Sequence, residues 1–164
     1  MGARAAEPRW LSEDEQRAWR AYLRGVRELD VALDRDLQDY DISLSEYELL
    51  SMLSEQPEGR MRMSALAELI VQSRSRVTHT ANRLERRGWV YREPAPEDGR
   101  GVVLVLTEQG WSEIVAMAKI HVESVRRNLL DVVSADQFDE LGRIMEQVRR
   151  ALTQAPPRPV GLTG

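Results

Sequence analysis

The chain has 164 residues, of which 42% are apolar and 30% charged, and 23 Lys and Arg against 27 Asp and Glu give a net charge of -4. This composition supports a packed core rather than a disordered chain, and no apolar run reaches the ~18 residues of a membrane span. Without cysteine, the chain cannot use a thiol switch of its own, and without an apolar leader at its start we expect a cytoplasmic protein with no membrane partner.

The N-terminal third predicts two helices after a flexible segment, residues 1–11. Ser12 and Glu15 have the spacing of a capping box, and apolar residues then recur every three or four positions as far as Tyr40, which predicts one long helix. Ser45 and Glu48 have the same spacing and predict the start of a shorter helix that ends before a Pro and Gly segment. The next residues, 60–63, are expected to form a short strand.

Residues 64–107 have the order of a winged helix-turn-helix. A short helix from Ser64 is followed by a second helix, for which Ser73 is the predicted N-cap and Gly88 the stop. Strand-like segments at 89–93 and 102–106 flank a loop rich in Pro and Gly, which predicts a hairpin. An exposed helix of this kind can enter the major groove while the hairpin reaches the backbone or minor groove, so duplex DNA is the leading partner.

The second helix of this segment is amphipathic, and its polar face supplies the predicted DNA contacts. Val77, Ala81 and Leu84 cluster on one side at about 100° per residue. Taken alone, the helix also fits an ordinary solvated helix, but its order with the hairpin favours a DNA-binding surface. The predicted contacts are Ser73, Arg74, Ser75, Arg76, Thr78, His79, Asn82, Arg83 and Arg86, with Asp98 and Arg100 at the hairpin tip. Those last two either pair with each other or divide the roles of bracing the loop and facing DNA.

The charge distribution agrees with this placement although the chain as a whole is acidic. Residues 60–101 hold 9 basic and 5 acidic side chains, whereas residues 1–59 hold 7 and 14 and residues 102–164 hold 7 and 8. Screening over about 8 to 10 Å limits the repulsion of a phosphate by distant acidic helices. The local positive charge therefore decides whether DNA is attracted.

The C-terminal third predicts two further amphipathic helices. Thr107 is the expected cap of a helix to about Val133, and Ser134 with Gln137 forms a third capping box. Their apolar stripes, with that of the first helix, lack an internal partner of sufficient size, so a twofold homodimer is predicted. We expect a mainly α fold with a small β wing: residues 12–40 and 108–153 for dimerisation, 41–107 as the winged lobe, and 154–164 as a disordered tail.

Trp19, Tyr22, Tyr47 and His121 are candidates for a ligand pocket near arginine side chains. The alternative is that these aromatic residues belong to the core, since helical spacing is equally typical of packing. Two histidines and no cysteine give no motif for a metal site, and no catalytic triad, phosphate-binding loop or dinucleotide motif occurs. We predict neither a cofactor nor enzymatic activity.

The chain resembles the MarR family of transcriptional regulators. The resemblance is carried by Leu66-Ala67, Ser75-x-x-Thr78, Asn82-Arg83-Leu84-Glu85-x-x-Gly88-x-Val90-x-Arg92, Asp98-Gly99-Arg100 and Leu106-Thr107-x-x-Gly110. It implies a homodimeric repressor or activator on a pseudo-palindromic operator, released by a small phenolic or anionic aromatic ligand. The competing hypothesis is a winged-helix module for protein contacts, because the fold alone does not fix its partner.

Overall fold

The computed structural model describes residues 8–96 and 101–154. Most of the predicted flexible start, the hairpin tip with Asp98 and Arg100, and the predicted tail from residue 155 onward lie outside the described residues. Gln154, placed by the sequence in the tail, is the last residue of a helix.

Two helices open the fold, α1 (Glu13–Gln38) and α2 (Leu44–Ser54). At the start of α1, the Glu15 amide donates to Ser12 Oγ at 3.2 Å and the Ser12 amide donates to the Glu15 carboxylate at 2.7 Å. The predicted capping box of the long helix is therefore confirmed.

The predicted cap of the second helix is wrong, because Ser43 rather than Ser45 is the N-cap and Glu46 rather than Glu48 completes the box. The two pairs have the same spacing, so the motif alone does not choose between them. Glu46 is only 1% exposed, and a buried carboxylate needs hydrogen-bond donors. Starting the helix after Ser43 supplies the Ser43 amide and hydroxyl as those donors, at 2.9 and 2.7 Å.

A three-stranded antiparallel sheet forms the wing. A single 3-10 turn (Pro57–Gly59) leads into β1 (Arg60–Arg62), and the hairpin consists of β2 (Val90–Pro94) and β3 (Val102–Leu106). The strand order is β1-β3-β2, so β3 lies in the middle. The predicted short first strand and the predicted hairpin are both confirmed.

The helix-turn-helix consists of α3 (Met63–Leu69) and α4 (Arg74–Arg86). Ser73 Oγ accepts the Arg76 amide at 3.3 Å, and Gly88 has φ +75 just beyond the end of α4, so both predicted helix limits are confirmed. The core beneath these helices is apolar and closed to solvent. Its fully buried members include Leu49, Leu50, Leu53, Leu66, Val77, Ala81, Leu84 and Leu104.

The helix after the wing, α5 (Glu108–Val125), starts against the end of α4. Thr107 Oγ1 accepts the Gly110 amide at 3.0 Å and donates to the Gly88 carbonyl at 2.7 Å. A Cβ at Gly110 would lie 2.1 Å from the Trp89 carbonyl oxygen. The Leu-Thr-x-x-Gly motif thus has a physical cause, since only glycine permits this approach.

The predicted single helix from Thr107 to Val133 is partly wrong. α5 ends as an α-helix at Val125, and Arg126–Leu130 forms a π-helical turn. No Pro or Gly marks this change, and apolar periodicity does not separate one π turn from an α turn. The last helix, α6 (Ala135–Gln154), begins with the predicted box: the Gln137 amide donates to Ser134 Oγ at 3.2 Å.

The chain divides after Ser124 into two compact units, the first with α1–α5 and the sheet and the second with α6. The functional division into a winged lobe and a dimerisation region remains a prediction. In the described part of the chain no helix is both long and apolar enough to cross a membrane.

Candidate nucleic-acid interface

Helix α4 buries its apolar face and leaves its polar face in solvent. Val77, Ala81 and Leu84 are each 0% exposed, and they dock α4 onto the core. All nine residues that the sequence predicted as DNA contacts at this helix are exposed: Ser73, Arg74, Ser75, Arg76, Thr78, His79, Asn82, Arg83 and Arg86. We call the exposed surface that these residues form on and beside α4 the α4 polar face.

The cations of this face differ in what they contact. Within the described residues, the side chains of Arg74, His79 and Arg86 form no ion pair or hydrogen bond, although the Arg74 carbonyl accepts from Thr78 Oγ1 at 2.8 Å. Arg76 leans toward α2, where its Nη2 lies 3.4 Å from Ser45 Oγ. Arg74 and Arg86 are thus the two guanidinium groups whose five donors are all available to an anionic ligand.

Arg83 lies on the same face but is held by a buried carboxylate. Its Nε lies 3.1 Å from Glu46 Oε1, and the side chain of Glu46 is 2% exposed against 48% for Arg83. Because an unpaired buried carboxylate is costly, this contact ties α4 to the start of α2. The geometry assigns Arg83 a positioning contact in addition to its place on the face.

A second arginine fixes the C-terminal end of α4 to the turn between α1 and α2. Arg87 donates to both the carbonyl and the carboxylate of Asp41. Its guanidinium also lies 4.6 Å above the centroid of the Trp89 ring, a cation–π contact. Arg83 and Arg87 together set how α4 lies against the helices beneath it.

Arg92 joins the sheet to the α4 polar face, and sequence reasoning gave it no role at the site. From β2, its Nη2 donates to Asn82 Oδ1 at 2.7 Å and lies 3.4 Å from the Thr78 carbonyl, while Nη1 donates to Glu85. The position of Arg92, four residues after the glycine that ends α4, could have indicated this contact. The strand that contains Arg92 returns alongside α4.

The wing lies next to this face, but the tip that carries Asp98 and Arg100 is outside the described residues. The hairpin is closed by the Ala95 amide, which donates to the Gly101 carbonyl at 2.8 Å. The roles of the two tip residues remain predictions.

The four residues predicted for a ligand pocket fall into two pairs. Trp19 and Tyr22 stack on α1 with ring centroids 5.7 Å apart, and both are exposed. Tyr47 and His121 lie 4.3 Å apart, centroid to centroid, where α2 meets α5. The second pair lines a cavity of about 240 Å³, together with Glu48, Ser51, Met52 and Ile70.

Burial shapes the electrostatics of this cavity. It lowers the pKa of His121 and raises the pKa of Tyr47, so both rings are held in their neutral forms near neutral pH. His121 Nδ1 is buried and has no hydrogen-bond partner in the described part of the chain. The cavity therefore has two aromatic walls, and one of the residues that line it carries an unsatisfied buried polar atom.

Comparison with known proteins identifies relatives of this chain. A profile of the MarR family matches residues 40–101. The structure of Sco3205, a MarR family transcriptional regulator from Streptomyces coelicolor in complex with DNA, is 40% identical, with a TM-score of 0.86 over 93% of this chain and 95% of that chain. The HTH-type transcriptional regulator PecS of Dickeya dadantii is 28% identical over 76% of this chain and 75% of its own length. The HTH-type transcriptional repressor IacR of Pseudomonas putida is 28% identical over 71% and 68%.

Proposed function

Because this chain belongs to the MarR family of transcriptional regulators, we propose that it binds a specific duplex operator through the α4 polar face. The single observation that carries the proposal is the separation of α4 into a fully buried apolar face and a wholly exposed polar face. A helix with its polar face free has the width that a major groove admits. Sco3205, similar over nearly the whole chain, was solved with DNA.

Arg74 and Arg86 are the proposed phosphate contacts, since their guanidinium groups have no other described partner. Asn82, with His79 and Ser75 beside it, is the proposed base reader. The wing residue Arg100 is proposed to contact the backbone or minor groove, as predicted from the sequence. Phosphate contacts would position the protein and base contacts would give sequence preference.

The proposed active form is a homodimer on a pseudo-palindromic operator. Helix α6 contains no buried residue and exposes an apolar row in the single chain: Phe138, Leu141, Ile144, Met145, Val148 and Leu152. A second copy would remove such a row from water at about 25 cal/mol per Å² of apolar surface. Two recognition helices related by a twofold axis then match the symmetry of an operator.

Repression is the proposed outcome of binding, since the related protein IacR is a transcriptional repressor. We propose further that a small aromatic acid releases the operator by entering the cavity at Tyr47 and His121. The two rings offer stacking surfaces to such a ligand. A ligand that prefers the conformation with low DNA affinity would shift the population toward it.

The experiment that tests DNA binding selects duplexes from a random pool and then measures affinity against salt. We expect a palindromic consensus and a steep loss of affinity as salt rises, with Arg74→Ala and Arg86→Ala each lowering the logarithmic slope by about one. Arg20→Ala, on exposed α1, is the matched control and should leave the slope unchanged. A protein-contact module would give no consensus and no salt-sensitive binding.

A titration with benzoate and its hydroxylated forms tests the ligand proposal. Addition should weaken operator binding by the wild type and not by Tyr47→Leu, which keeps the cavity apolar but removes its ring. An equal response of the two proteins would contradict the placement of the ligand.

A further inference from the structure

The oxygen of the Asn82 side chain is already engaged before any DNA arrives. Arg92 Nη2 donates to Asn82 Oδ1 at 2.7 Å, although Asn82 itself is exposed on the α4 polar face. Arg92 is held for this contact at two further points, the Glu85 carboxylate and the Thr78 carbonyl. Its side chain is 24% exposed, against 37% for Glu85.

This contact decides which way the Asn82 amide faces. A guanidinium has donors only, so the amide atom turned toward Arg92 must be the oxygen. The amide nitrogen is bonded to the same carbon and lies on the other side of it. Asn82 therefore presents its two N–H donors away from the sheet, and turning the amide over would place its donors against those of Arg92.

The bases differ in how they match such a group. A bidentate contact of Asn with adenine uses both the oxygen, to accept from N6, and the nitrogen, to donate to N7. Guanine offers two acceptors, N7 and O6, at the same edge. An amide whose oxygen is turned toward Arg92 directs its donors outward and fits guanine, whereas the adenine N6 donor would have to share that oxygen with the guanidinium.

We propose that Arg92 is a specificity-determining positioning residue, which fixes Asn82 as a donor-only reader and so makes it select guanine over adenine. The proposal rests on the proposed function, since it presumes that the α4 polar face meets base edges. Glu85 compensates the charge of Arg92, so Arg92 acts through Asn82 rather than as a phosphate contact.

The test compares duplexes selected by the wild type, Asn82→Ala, Arg92→Met and the double variant. The position whose preference relaxes in Asn82→Ala identifies the base that Asn82 reads. There the wild type should prefer guanine to adenine by roughly three- to tenfold, the worth of one hydrogen bond. Arg92→Met should bring this ratio close to one, because the freed amide can turn over, and should change nothing further in Asn82→Ala.

Two comparisons separate positioning from a loss of fold or of charge. Arg60→Met makes the same substitution in the same sheet at a cation that pairs with Glu93 and Glu58, and the base preference should stay as in the wild type. Arg92→Lys keeps one donor within reach of the oxygen and should retain part of the guanine preference. If Arg92→Met does not fold, two other measurements test the proposal. They are the base preference of Arg92→Lys and the binding of the wild-type protein to a selected duplex that contains 7-deazaguanine.

Replacing that guanine by 7-deazaguanine removes N7, and it should weaken wild-type binding and leave Asn82→Ala unaffected. Adenine preferred by the wild type, or a guanine preference unchanged in Arg92→Met, would overturn the proposal. An effect of Asn82→Ala that is equal for all bases, with no effect of 7-deazaguanine, would place Asn82 on the backbone and also overturn it. If the wild type selects no duplex, the proposed function itself fails, and this inference with it.

Discussion

Helices α4 and α6 have the same kind of amphipathic pattern, but the apolar face is buried in α4 and exposed in α6. In α4 the apolar residues Val77, Ala81 and Leu84 are fully buried by the rest of the chain. In α6 none of the residues is buried, and Ile144 and Val148 are 48% and 44% exposed. The periodicity of a helix thus tells which face is apolar but not whether the partner of that face belongs to the same chain.

The two helices therefore differ in whether the apolar face is already covered by the chain itself. Helix α4 already has its support, so its free polar face is available to a ligand from outside. Helix α6 has an unpartnered apolar face, and the homodimer proposal supplies its partner. Substitutions in the two helices should therefore affect different properties, the stability of the single chain in α4 and association in α6.

The largest effect on stability is expected at the buried face of α4. Leu84→Ala removes a side chain with no exposed surface, and it should lower the free energy of unfolding by about 3 to 4 kcal/mol. Urea denaturation followed by circular dichroism measures the change. Since the partners of Leu84 lie in its own chain, the loss should be the same at every protein concentration.

The matching substitution in α6 should act on association instead. Leu141→Glu places a charge in the proposed interface, and it should weaken the dimer by about 3 kcal/mol, or roughly a hundredfold. Sedimentation at micromolar concentration should show a dimer for the wild type and a monomer for the variant. Gln147→Glu adds the same charge outside the apolar row and is the control; equal sedimentation of all three proteins would remove the contrast with α4.

A smaller effect is expected where α4 is tied to α2. Glu46→Gln removes the charge that meets Arg83 and should cost about 1 to 2 kcal/mol, less than a fully buried pair because Arg83 is half-exposed. A double-mutant cycle with Arg83→Met should show a coupling energy above about 0.5 kcal/mol. Strict additivity of the two changes would mean that the contact does not hold α4.

The smallest effect is a pH dependence from the cavity. Burial lowers the pKa of His121 below its ordinary 6.5 in the folded state, so the unfolded chain binds a proton there first as pH falls. The stability contribution is present above about pH 6.5 and decreases as pH falls toward the lowered folded value. His121→Phe should flatten this part of the profile when the free energy of unfolding is measured by urea denaturation at successive pH values; an unchanged profile would contradict the role of His121.

Much of the fold could be predicted because its signals are local. The Ser12 and Ser134 capping boxes, the Ser73 cap and Gly88 each depend on residues a few positions apart, and the structure confirms them. The second box was placed at Ser45 instead of Ser43, because the choice depends on burial of Glu46, which no local pattern reveals. The π turn after Val125 has no sequence mark at all.

The exposure of the candidate site residues could be predicted from the sequence, but the contacts among their side chains could not. Helical periodicity predicted which side of α4 is apolar, and the nine residues predicted as DNA contacts at this helix are all exposed. The pairing of Arg83 with Glu46 joins residues 37 positions apart, and the split of the aromatic set depends on where α2 meets α5. Such contacts follow from tertiary packing, so sequence spacing gives no access to them.

Hydroxyl-radical footprinting on a selected duplex shows whether two copies of the α4 polar face bind it symmetrically. We expect two equivalent protected stretches related by the dyad of the sequence, with centres about one helical turn apart or a multiple of it. In Arg74→Ala, the protection of both stretches should weaken together as the salt concentration rises. A single protected stretch, or protection unchanged by that substitution, would contradict the account.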